Sequence, residues 1–150
     1  MNRLSQNELI GTVAIQAALQ NSAEGRLSLA KAMLVLPLLF DKAVRSVLKR
    51  KNSIVLGSKD LLISNPGAFV TVRTRYEDLI ITSLNTILLA QELDMAVLEN
   101  EFLVLKNKIF VNGDRELGNV ALEILASGPK LGLVLSEAAE DLYQTFRIEL

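Results

Sequence analysis

The sequence predicts a mainly α-helical fold: a single compact helical domain spanning residues 1–150, with one β-hairpin. Three observations carry that expectation. Half of the residues are apolar and mean hydropathy is +0.32, enough to fill a core at a length typical of one domain. Apolar residues recur at three- and four-residue spacing over most of the chain. Only the stretch around Glu99–Val111 shifts to a pattern rich in β-formers.

The elements follow in order. Ser5, with Glu8 three residues on, reads as a capping box. Leu9, Ile10, Val13, Ala14, Ala17 and Ala18 then share one face, which predicts a helix over 6–21, ended by Gly25. Residues 28–36 form a second, almost wholly apolar helix that is expected to be buried, and Pro37 kinks it or opens the next turn. Asp41 is placed to cap a short basic helix over 42–50. Ser58 can cap a short helix through Ile63, closed by Asn65-Pro66-Gly67.

Phe69, Val72, Tyr76, Leu79, Ile80, Ser83, Ile87 and Ala90 predict one long helix from about 68 to 93. Strands over Glu99–Leu105 and Lys108–Val111, turning at Lys106-Asn107, make the hairpin. Asp114 caps a helix over 115–126, Gly128-Pro129 breaks it, and another helix reaches about 138. The tail from Glu140 forms a last short helix, ending extended at Phe146-Arg147-Ile148. Leu29, Met33, Leu36, Val72, Leu79 and Ile87 should share one core. This order is winged-helix-like, with the hairpin as the wing; an all-α bundle with an incidental hairpin reads the same way.

Composition removes several chemistries. The chain has no cysteine, histidine or tryptophan, which excludes disulfides, thiolate and imidazole metal sites, His-dependent triads and cysteine nucleophiles. Its longest uncharged windows, Leu9–Ala23 and Leu79–Gln91, span 15 and 13 residues, short of a membrane span. No secretory signal precedes them, so the expectation is a soluble, cytoplasmic protein with no membrane contact. Asn112-Gly113-Asp114 and Ser127-Gly128-Pro129 lack the spacing of a phosphate loop. Glu99 with Glu101, and Glu137 with Glu140 and Asp141, read as solvated acidic surface, and Tyr76 and Tyr143 as packing at the core's edge. Neither catalytic, metal nor cofactor-binding residues are expected.

Charge is divided along the chain. Between Arg26 and Arg75 ten Lys/Arg face two acids; from Tyr76 to Leu150 five basic residues face thirteen acids. The densest cluster is Lys42, Arg45, Lys49, Arg50 and Lys51, of which 42, 45 and 49 share a helix face. With Arg73 and Arg75 these residues form the candidate partner-binding surface. Three readings fit: a solvated helix end complementing its dipole, a surface for an acidic protein, or a phosphate contact. No aromatic residue interleaves the 42–51 cluster as a base-stacking platform would need.

The run Leu27–Leu48 resembles the signature of the middle components of bacterial three-component ABC-ATPase systems. There a buried helix ends in Leu-Val-Leu-Pro-Leu, here Leu34–Leu38, followed by basic residues, here Lys42 and Arg45. The likeness continues through Arg73 and Arg75, the hairpin, Lys130-Leu131-Gly132 and Leu142-Tyr143. It departs where Phe40-Asp41 replace the histidine that often follows the Pro run. The resemblance implies a non-catalytic accessory or adaptor subunit that docks on an SMC-like ABC ATPase and couples it to an effector. By the same resemblance the system is expected to act against phage or plasmids, with Lamassu-type defence the nearest named relative, and any DNA contact is expected inside the complex. The alternative from the residues themselves is a winged-helix DNA-binding regulator with the 42–51 cluster on phosphate. An enzyme using carboxylates is the third reading.

Overall fold

A computed structural model describes residues 6–51 and 53–149. The expected Ser5 cap lies outside these residues. Helix α1 (Gln6–Gln20) runs through the middle of the core, with Ala14, Ala17 and Ala18 wholly buried. Strand β1 (Arg26–Ser28) follows, an element too short for periodicity to reveal.

The expected helix over 28–36 divides into α2 (Leu29–Ala32) and α3 (Val35–Leu39). Ser28 caps α2, its hydroxyl oxygen accepting from the Lys31 N–H at 3.3 Å. Pro37 lies within α3. A proline ring excludes the carbonyl four residues back, here that of Met33, and the helical run steps at Met33-Leu34. Every residue of α3 is buried, whereas Leu29 in α2 stays 36 % exposed and does not join the core as expected. Leu36, Val72 and Ile87 do share that core, with Met33 and Leu79 packed against it.

Helix α4 (Lys42–Leu48) starts at Asp41 as expected, whose Oδ2 accepts from the Val44 N–H at 3.1 Å. Helix α5 (Ser58–Ser64) is capped differently from expectation. Gly57 takes the cap position, and Ser58, buried, donates from Oγ to Glu137 Oε1 while its N–H donates to Glu137 Oε2, both at 2.7 Å. A carboxylate from elsewhere in the chain thus closes the helix start.

The long helix expected over 68–93 is three helices: α6 (Pro66–Phe69), α7 (Val72–Asp78) and α8 (Ile80–Glu92). Pro66 opens α6 at its first turn, where its missing N–H costs nothing. A straight helix over those 26 positions would extend about 39 Å, beyond what one small core covers. The bends at Val70-Thr71 and Leu79 let α7 pack on α3 and α8 on α1.

The hairpin is present but shifted. Strands β2 (Ala96–Glu99) and β3 (Phe102–Leu105) turn at Asn100-Glu101, both at positive φ as a type I′ turn requires. Strand β1 adds to the far edge of β3, giving an antiparallel sheet of order β1–β3–β2 with Leu27 opposite Leu103 and Leu98 opposite Leu103. Residues 108–111, expected as a strand, form none, and the backbone of Ile109 and Phe110 pairs with a side chain instead. Buried Gln16 accepts from the N–H groups of Ile109 and Phe110 at 2.7 and 2.8 Å and donates to the Phe110 carbonyl at 2.7 Å.

Asp114 caps only a short 3-10 turn, Arg115–Leu117. Helix α9 (Asn119–Leu135) then passes straight through Gly128-Pro129, contrary to the expected break. Its packing explains this: a Cβ on Gly128 would stand 3.1 Å from the Ala17 carbonyl oxygen, and one on Gly132 3.0 Å from Asn21 Cβ. Those glycines bring α9 against α1, and the burial gained outweighs one lost backbone bond. Helix α10 (Ala139–Thr145) follows. The tail is not extended: Arg147 turns at φ 60°, the Ile148 N–H returns to the Tyr143 carbonyl at 2.8 Å, and Phe146 stacks on Phe69 at 6.3 Å.

Candidate interaction surfaces

The basic residues singled out in the sequence separate into two groups with different work. Arg45 is 7 % exposed. Its Nη1 donates to the Leu39 carbonyl at 3.0 Å and its Nε to Glu123 Oε1 at 3.1 Å. Arg75 is half-buried and donates from Nε to the Pro37 carbonyl at 2.8 Å, with Nη1 3.5 Å from Asp41 Oδ1 and also bonded to Thr71 Oγ1. The two guanidinium groups therefore hold carbonyls at the C-terminal end of α3, where a helix leaves such acceptors without intrahelical donors. Asp41 serves both sides, capping α4 and facing Arg75. Burial pulls the Arg75 guanidinium below its ordinary value, and Asp41 opposes that shift.

Lys49 joins Arg45 on one carboxylate, its Nζ 2.9 Å from Glu123 Oε2. Hydrogen bonds from Lys49 and then Arg45 hold the Glu123 carboxyl below its usual range, more than offsetting its partial desolvation. The same triad ties α4 to α9. Lys130 of α9 adds a further tie, donating to the Arg50 carbonyl and to Ser53 Oγ beyond the end of α4.

What remains at the surface is Lys42, Arg50 and Lys51, exposed and with no side-chain partner among the described residues. Arg73 is exposed too, but two helical steps of 100° turn it away from Arg75, and it faces Glu77 at 3.5 Å. The structure thus leaves Lys42 exposed at the start of α4 and Arg50 and Lys51 exposed just past its C-terminal end, after half-exposed Lys49, and engages Arg45, Arg73 and Arg75 elsewhere.

A second surface was not singled out in the sequence. Helix α8 exposes Ile80, Ile81, Leu84 and Leu88, at 37, 68, 43 and 57 %. Its buried face carries Ser83, Thr86, Ile87 and Ala90 against α1. The signal is the uncharged run Leu79–Gln91, in which Ile80, Ile81, Leu84 and Leu88 fall on a different side of the helix from Ser83, Thr86, Ile87 and Ala90. Leu9 of α1, 46 % exposed, lies next to Glu8, whose carboxylate accepts from Asn85 Nδ2 of α8 at 3.1 Å.

Tyr76 and Tyr143 pack edge to face at 5.6 Å, and buried Tyr143 donates to the Ala30 carbonyl at 2.6 Å, with burial pushing its phenol well above the usual range. Among the described residues no three carboxylates gather to hold a metal ion, and no helix is long and apolar enough to cross a membrane.

The family model described as ABC-three component (ABC-3C) system Middle Component 3 matches residues 3–150. No curated protein and no solved structure matches the chain.

Proposed function

The chain belongs to the Middle Component 3 family of ABC-three component systems, and from that premise we propose that it is a non-catalytic adaptor, docking on an SMC-like ABC ATPase and coupling it to an effector in defence against phage or plasmids. The observation that carries this reading is that Lys42, Arg50 and Lys51 stay exposed and unpartnered, among the described residues, at the two ends of a helix locked to the body by Arg45, Lys49 and Glu123. Exposed cations borne by a helix that is tied down in this way suit recognition of an acidic protein surface, because the helix itself needs little ordering on binding.

The DNA-binding regulator is less well supported. In a winged-helix reader the helix entering the hairpin lies in the groove and the wing approaches phosphate. Here that helix is α8, without one basic residue, and the hairpin turn is Glu99-Asn100-Glu101. The helix offers a nucleic-acid backbone no cation, and the acidic turn would repel it.

Co-expression with the ATPase and effector components of the same system, followed by size exclusion, tests the adaptor reading. Co-elution is expected; separate elution at micromolar concentration contradicts it. Tight binding of duplex DNA by the isolated chain at physiological salt would instead favour the regulator.

A further inference from the structure

The α8 face is an exposed apolar seam with a carboxylate at each end. Ile81, Leu84 and Leu88 follow the three- and four-residue spacing of a helix seam, with Ile80 exposed one position before it. From Tyr76 to Leu105 the chain carries six carboxylates, of which Glu77 pairs with Arg73 and Asp94 with Lys106. Of these, Asp78 precedes α8 and Glu92 ends it, both exposed. The seam is therefore flanked at each end by negative charge.

That arrangement discriminates among occupants. A second copy meeting it through a two-fold axis would bring carboxylates against carboxylates, which is unfavourable across an interface. An extended peptide adding to a sheet edge would not use a helix face. An amphipathic helix with its own leucine seam would bury Ile81, Leu84 and Leu88, and Lys or Arg flanks on it would meet Asp78 and Glu92. We propose that α8 docks a basic-flanked amphipathic helix supplied by another component of the system, through a surface distinct from Lys42, Arg50 and Lys51. This inference rests on the adaptor reading and adds a second docking face to it.

The test is hydrogen–deuterium exchange on the intact chain, alone and assembled with the purified ATPase and effector components. Assembly should slow exchange in peptides covering 80–92 and in peptides from the partner that are helical and rich in Lys/Arg. The variant Leu84→Glu/Leu88→Glu should melt with the wild type, because both side chains are exposed, and lose that protection. The variant Asp78→Lys/Glu92→Lys should keep the seam but bind at least about tenfold more weakly, as opposite charges become like ones. Assembly without slowed exchange over 80–92 overturns this proposal and leaves the adaptor reading standing, whereas absence of any assembly overturns both. Protection over 80–92 in the isolated chain that grows with its own concentration would assign the face to a second copy and likewise overturn the proposal.

Discussion

Arg75 Nε donates to the Pro37 carbonyl at 2.8 Å, across 38 positions of sequence. With Arg45 on Leu39, this bond fixes the buried Leu-Val-Leu-Pro-Leu run to the helices that follow it. Two of the residues that resemble a partner-binding signature are thus internal struts, and their substitution should report on folding.

Arg75→Ala leaves the Pro37 carbonyl without its charged donor, and Arg45→Ala does the same at Leu39. Each should cost about 1–3 kcal/mol, the range for a buried hydrogen bond to a charged group. Lys42→Ala, Arg50→Ala and Lys51→Ala should each stay within about 0.5 kcal/mol of the parent, as exposed positions do. Urea denaturation of the five variants measures the contrast; equal effects in both groups would contradict the division.

Glu123 should make stability depend on acid. Its carboxyl is held below the ordinary value in the folded state by Lys49 and Arg45, so the unfolded chain binds the proton more readily. The stabilisation it contributes is complete above its ordinary value of 4.5 and is lost as pH falls through the lower folded value. Glu123→Gln should therefore be less stable than the parent at pH 6.5, and the gap should narrow below about pH 4.5. Melting temperatures of both proteins across that interval decide it; a constant gap would assign the loss to packing.

Leu36 is wholly buried in α3. Leu36→Ala should cost about 2–5 kcal/mol, the usual penalty when a packed Leu leaves a cavity. A variant melting within a degree or two of the parent would show that α3 is not the wall of the core described above.

Local signals in the sequence were legible where the cause is local. Asp41 caps α4 as its position three residues before Val44 suggests, and the amphipathic spacing of α1 places Ala14, Ala17 and Ala18 inside. Features decided by distant partners were not. The carboxylate at the start of α5 comes from Glu137, 79 positions away, and the backbone of Ile109 and Phe110 pairs with Gln16, 93 and 94 positions away. Composition around Gly128-Pro129 suggests a break, yet the need for small residues where α9 meets Ala17 and Asn21 keeps the helix whole. The basic cluster shows the same limit: spacing puts Lys42, Arg45 and Lys49 on one helix face, but only the fold reveals that Glu123 takes two of them.

An adaptor role through the basic residues requires Lys42, Arg50 and Lys51 to meet another component, and binding affinity for the purified ATPase component measures that directly. The Lys42→Glu/Arg50→Glu/Lys51→Glu variant should melt with the parent, since none of the three has a side-chain partner among the described residues. Its Kd should rise by about a hundredfold or more, because reversed charges across an interface cost several kcal/mol and each 1.4 kcal/mol is a factor of about ten. An unchanged Kd in a variant that folds normally would contradict the account and leave these three residues as the solvated end of α4.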